Sequence, residues 1–233
     1  MQRDDGRAGA SRLVTPAFGG AHASLYAEGP PRQVPGFAAL HRMTSMLLAE
    51  HVAQQGRVLV LGAGGGLELK ALADDHPGWS FDGIDPSAEM LRVAAEIVGA
   101  HSGRIRLQEG YIDTAPAGPF DGATCLLTFH FVPPEQRLHT LLEIRRRLAP
   151  GAPFVVAHLS FPQAEPERSR WIARHVAFGG TDPAQAESAR QAIATRLSIL
   201  SPEQDEALLR EAGFSNVGLF YAGLSFRGWV AYA

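Results

Sequence analysis

Residues Val58–Leu72 read VLVLGAGGGLELKAL: a four-residue apolar run, a burst of glycine, then a helical pattern. The apolar run ending at Leu61 fits a buried strand. Gly62, Ala63, Gly64 and Gly66 follow it and open the helix. Their small side chains let the chain turn tightly, let a ligand approach the backbone and aim helix N–H groups at that ligand. In an open α/β sheet such a turn lies at the carboxyl ends of the strands, where ligands bind. Spacing then selects among nucleotides. A dinucleotide fingerprint starting at Gly62 needs a small residue at position 67, which is Leu67. A phosphate loop needs Lys followed by Ser or Thr after the glycines, and no such pair is there.

Strand and helix signals alternate on either side of this stretch. Leu40, Met43, Leu47 and Val52 recur near helical spacing within Gly36–Gln54, so a helix precedes the first strand. Beyond the glycines, the pattern predicts a helix over Leu67–Asp74, a strand over Ser80–Ile84 and a helix over Ser87–Val98 with Ser87 as N-cap. Strands are expected over Arg104–Gln108 and Ala123–Phe129, a helix over Glu135–Leu148 stopped by Pro150–Gly151, and a strand over Phe154–His158. Repeated strand–helix units need crossovers, which makes the expected fold α/β, a doubly wound, Rossmann-like parallel sheet. Two polar helices, Glu165–Phe178 and Pro183–Leu197, break the alternation and read as a cap or oligomer surface at about residues 162–200. A helix over Ser201–Ala212 and strands over Val217–Tyr221 and Gly228–Tyr232 complete the pattern. Residues 1–23 are rich in Gly, Ala and charge without periodicity and read as a disordered tail, leaving 24–233 as one domain.

Composition narrows the function classes. With 21 Lys plus Arg against 24 Asp plus Glu, no global field recruits nucleic acid or anionic lipid. The single cysteine, Cys125, excludes an intramolecular disulfide and a Cys-rich zinc site, and it fits a reducing cytoplasm. No apolar run approaches a membrane span, and the N-terminus lacks an apolar signal core. The nine histidines show no H-E-x-x-H or other compact ligand spacing, so no metal site is expected.

A second motif, DGIDPSAEMLRVA, places Asp85 at the end of the second strand, about 20 residues past the glycines. A carboxylate there can accept both hydroxyls of a ribose; equally, it can serve as a helix-start acid favoured by the dipole. Together GAGGG and IDPSAEML resemble the class I S-adenosylmethionine (SAM)-dependent methyltransferases, over roughly Arg57 to Phe161. The resemblance implies a seven-stranded sheet with the last strand antiparallel. It also implies that the amino-acid end of SAM lies over Gly62–Gly66 and that its ribose meets Asp85, with Pro86 among the cofactor contacts. Adenine would then lie near Met90, enclosed by Tyr111 and Ile112. His130, just after the fourth strand, would face the reactive methyl, where a histidine can remove a proton from an oxygen or nitrogen nucleophile.

Outside that core, RQVPGF at Arg32–Phe37, LTFHFVPPEQR at Leu127–Arg137, SARQAIATRL at Ser188–Leu197 and LLREAGF at Leu208–Phe214 are similar to the carboxy-SAM synthase family, which acts on SAM and prephenate. That similarity implies a SAM contact at Phe37 and a homodimer in which Arg190 reaches the carboxylate bound by the partner. Three positions depart from the family pattern: Val60 and Tyr111 stand where acids are usual, and Leu126 where Asn is. Leu cannot hydrogen-bond a ligand. Methyl transfer to a small-molecule acceptor is therefore the first expectation. Carboxy-SAM synthesis and a non-catalytic SAM-binding regulatory role are the alternatives. Arg168, Arg170 and Arg174 with Trp171 are candidates for gripping an anionic substrate.

Overall fold

Apolar, β-branched runs build a sheet in this computed structural model, which describes residues 29–233. The tail expected at residues 1–23 lies outside the described residues. β1 (Arg57–Leu61), β2 (Ser80–Asp85), β3 (Ile105–Glu109), β4 (Gly122–Leu126) and β5 (Pro153–Leu159) are mutually parallel. β6 (Ser215–Gly223) and β7 (Phe226–Tyr232) extend the sheet to the order β3-β2-β1-β4-β5-β7-β6, with β7 antiparallel to both its neighbours. β4 and β5 are buried at every residue, as strands covered on both faces must be. Alternation along β1 sends Val58 and Val60 into one core and Leu59 and Leu61 into the other.

Helices cover both faces: α1 (Gly29–Gln33), α2 (Phe37–Ala49), α3 (Leu67–Asp75), α4 (Ala88–Ile97), α5 (Pro134–Arg147), α6 (Glu167–Phe178), α7 (Ala186–Arg196) and α8 (Pro202–Glu211). Ser87 caps α4 by accepting from Met90 N at 3.2 Å, and Ser201 with Gln204 forms a capping box on α8. The pair α6–α7 follows β5 where the sequence interrupts its alternation. Arg168 joins the two by donating to Ala194 O at 2.8 Å.

Two local departures from the sequence pattern matter for the site. α1, a Pro-containing turn of helix without helical periodicity, was not expected. The fourth strand leaves the sheet at Leu126 rather than Phe129: Leu127 takes a left-handed φ of 58°, and Phe129–Phe131 coils into a 3-10 helix. A branched residue in that region is strained, and such strain is typical where a loop must hold a particular shape. Strand order reverses between β1 and β4, which opens a crevice at their carboxyl ends. Among the described residues, no helix is long and apolar enough to cross a membrane.

Candidate functional site

A cavity of about 680 Å³ occupies that crevice. One end is made of backbone and a carboxylate. Gly62 and Gly64 line it with φ of 77° and 49°, values that favour glycine. A Cβ on Gly62 would lie 2.0 Å from Thr128 Oγ1, so the turn and the β4 exit close on each other only because that Cβ is missing. Most of the turn's N–H groups are already spent. Gly62 N and Ala63 N donate to Ile84 O at 2.8 and 3.0 Å, and Gly64 N donates to Asp85 Oδ2 at 2.9 Å. The turn therefore offers bare Cα surface there, while strand β2 holds its shape. Gly66 serves packing instead: its Cβ would meet Ala94 Cα of α4 at 2.9 Å.

Asp85 is buried, lines the cavity and also accepts from Ser87 N at 2.9 Å through Oδ1. Burial pushes its carboxyl above the ordinary Asp range, opposed by the two backbone N–H groups. Each oxygen retains acceptor capacity beyond its one protein bond. Pro86 and Met90 lie on the same wall. The glycine cradle and the poised acid fit the ribose and amino-acid ends of a SAM-sized ligand.

The other end is made of side chains. His130 and Phe131 come from the 3-10 turn, His175, Val176 and Gly179 from α6 and its end, and Ala189, Ala192 and Ile193 from one face of α7. His130 Nδ1 accepts from Leu159 N at 3.4 Å, and His175 Nδ1 pairs with Ser225 Oγ at 2.8 Å. Burial holds both rings below the usual histidine range. For His130 the fields of His158, Arg137 and His175 add to that effect. The His130 turn is fastened from behind. The fully buried Arg137 donates to Val132 O, Ser198 O and Asp205 Oδ1, and Ser198 N donates to His130 O.

Six of the residues predicted from sequence meet at this cavity: Gly62, Gly64, Asp85, Pro86, Met90 and His130. Ala63 and Gly66 shape the turn without lining it. Phe37 packs on the core with its ring 4.4 Å from His41, although Val34 of the same segment does line the cavity. Tyr111 is exposed, and Ile112 is buried in the second core. Arg190 is largely exposed and paired with Glu187 at 3.2 Å, next to the cavity-lining Ala189. None of Arg168, Arg170 and Arg174 lines the cavity; Arg170 pairs with Glu167 and Arg174 lies over Trp171. Among the described residues, no Lys or Arg is on the wall.

Two residues escaped the sequence reading. His175 carries no motif and sits on a helix read as polar. Glu68, in the first turn of α3, is buried with Oε1 unpartnered. Desolvation raises its carboxyl to about 8, with the neighbouring Thr124 hydroxyl pulling the other way. Thr124 is the β4 partner of Val60, so a buried acid from α3 lies near the strand position that lacks one.

Residues 58–151 match the methyltransferase domain family. The chain is 27% identical over 211 residues to a carboxy-S-adenosyl-L-methionine synthase of Chromohalobacter salexigens, covering 86% of this chain and 77% of that one. It is similar in fold to a SAM-dependent methyltransferase from Aquifex aeolicus, with a TM-score of 0.61 at 17% identity over 91% of this chain and 97% of that one. Human N-acetylserotonin methyltransferase, solved with SAM, gives a TM-score of 0.59 at 19% identity over 91% of this chain. There the match spans 54%, about half, of the human chain.

Proposed function

We propose that this chain, which carries a class I SAM-dependent methyltransferase domain, transfers a methyl group from SAM to a small-molecule acceptor in the cavity after β1 and β4. The observation that carries the reading is Asp85: a buried carboxylate on the cavity wall, fixed by Gly64 and Ser87 N–H groups beside two bare glycines. Ribose hydroxyls can take its remaining lone pairs. Gly62 and Gly64 would take the amino-acid end of SAM, with Pro86 and Met90 in apolar contact with the adenosine end. SAM, when bound, supplies a methyl carbon made electrophilic by the sulfonium, and the C–S electron pair returns to sulfur as the acceptor's lone pair forms the new bond. The residues of this chain orient the acceptor and keep water out. α6 and α7 serve as the cap, a reading supported by the inner face of α7 on the cavity wall. Calorimetry with SAM and detection of S-adenosylhomocysteine from an acceptor panel test the proposal. A folded protein that binds no SAM would defeat it.

A second reading, carboxy-SAM synthesis, is favoured by the name of the 27% identical relative. Its added carboxylate, and those of prephenate, need a cation, and the wall within one copy offers none among the described residues. Arg190 of a second copy would have to supply it. Arg190→Ala should then weaken carboxy-SAM binding by roughly tenfold, leave SAM binding unchanged, and act within a dimer. A monomer in solution, or equal losses for both ligands, removes this reading.

A further inference from the structure

The two cavity histidines are usually candidates for proton removal, but their ring nitrogens are committed in the opposite sense. Leu159 N–H points at His130 Nδ1, so that nitrogen is the acceptor, and a neutral ring carries its hydrogen on Nε2. For His175 the direction follows from satisfying both partners. Ser225 is fully buried, and His175 Nδ1 is the one side-chain partner of its hydroxyl among the described residues. If Nδ1 were the donor, the Ser225 hydroxyl hydrogen would have no acceptor, a costly arrangement in the interior. Ser225 therefore donates, and the hydrogen of His175 also sits on Nε2. Neither Nε2 has a protein partner among the described residues, and neither is sealed inside the protein as both nitrogens of His158 are.

The surroundings keep both rings neutral. His130 faces Arg137 from α5, His158 from β5 and His175 from α6, all of which disfavour a further positive charge. Asp205 from α8 is paired with Arg137, and His158 Nε2 lies 3.2 Å from its other carboxylate oxygen. Asp85 is the one carboxylate on the cavity wall, among the described residues.

We propose that the acceptor is a phenol-like aromatic alcohol bound as its anion, with its oxygen received by the Nε2–H groups of His130 and His175. The inference rests on the methyl-transfer reading and names its substrate class. An oxygen anion has three lone pairs: two can take the histidine hydrogens while the third attacks. A neutral amine has one, and a donor placed on it would block the reaction. Phe131, Val176, Ile193 and Leu197 supply an apolar wall, while Gly179, Ala189 and Ala192 leave room for a flat ring. With no Lys or Arg on it among the described residues, that wall suits a single delocalised charge better than a dicarboxylate. The acceptor's proton leaves to solvent as the anion enters, so no side chain takes it in the transfer step. The role of His130 thus changes from proton acceptor to hydrogen-bond donor.

The test is spectroscopic and independent of turnover. 4-Nitrophenol, whose anion absorbs visible light, is titrated with the full-length protein saturated with S-adenosylhomocysteine. The expected result is that the bound phenol ionises at a pH lower than the free phenol by about one pH unit, tenfold in its ionisation constant. His130→Phe and His175→Phe should each remove much of that depression, and His175→Gln, which keeps an N–H donor, should retain part of it. Ionisation at or above the free value, or no binding at millimolar concentration while SAM still binds, overturns the proposal and leaves methyl transfer standing. Loss of SAM binding by the wild-type protein, read by calorimetry, overturns both. The wild-type spectrum decides by itself, so a variant that does not fold does not blur the result.

Discussion

The glycine turn after β1 and the α6–α7 pair face the same cavity, but the turn presents backbone while the helices present side chains. At the turn, shape comes from Gly62 and Ala63 bonding to Ile84 O and from Gly64 bonding to Asp85, groups that lie at the ends of two adjacent strands. In the helical half, His130 and His175 are aimed by Leu159 and Ser225, from distant parts of the chain. A backbone-built half suits a ligand that stays the same from one relative to the next. A half built from side chains on a helical insertion can be reshaped by single substitutions without disturbing the sheet.

Substitution at Gly62 should break the turn most severely. Gly62→Ala puts a Cβ against Thr128 in a left-handed backbone. We expect SAM affinity to fall by roughly 100-fold or more, about 2.7 kcal/mol, by calorimetry on folded protein. An affinity near wild type would mean that the turn does not cradle the cofactor. Asp85→Ala should cost ~1.5–3 kcal/mol, or roughly 10- to 150-fold, because it removes charge-assisted bonds to ribose. Unchanged affinity would assign Asp85 to helix α4 alone.

A third experiment reads stability. The Glu68 carboxyl is raised from 4.5 to about 8 in the folded protein, so the unfolded chain loses that proton first as pH rises. Stability from Glu68 is thus fully present below 4.5 and is lost progressively as pH rises through about 8. Glu68→Gln cannot ionise and should outlast wild type in urea at alkaline pH by ~1–3 kcal/mol, with a smaller difference in acid. A pH-independent difference would mean that Glu68 is ionised in the fold. The smallest effect is expected at the helical half. Ala192→Phe fills the cavity beside α7, so it should abolish acceptor binding while changing SAM affinity less than about threefold, under ~0.7 kcal/mol. A large loss of SAM binding would show that the two halves are not separate.

The sequence by itself determined the sheet, the glycine turn, Asp85 as the acid beside it, and the capping of α4. Each rests on periodicity or on residues close in the chain, where local sterics and hydrogen bonding leave few alternatives. It also marked the α6–α7 insertion as foreign to the alternation. Tertiary structure alone decided which side chains reach the cavity. Phe37 and Arg190 stand close to cavity residues in the chain yet do not line it, and Tyr111 is exposed away from it, since the direction of a side chain depends on what packs around it. His175 became visible only through Ser225, 50 positions later. Which nitrogen of His175 carries the hydrogen depends on a buried hydroxyl having one place to donate, a condition that exists only once the chain has folded around it.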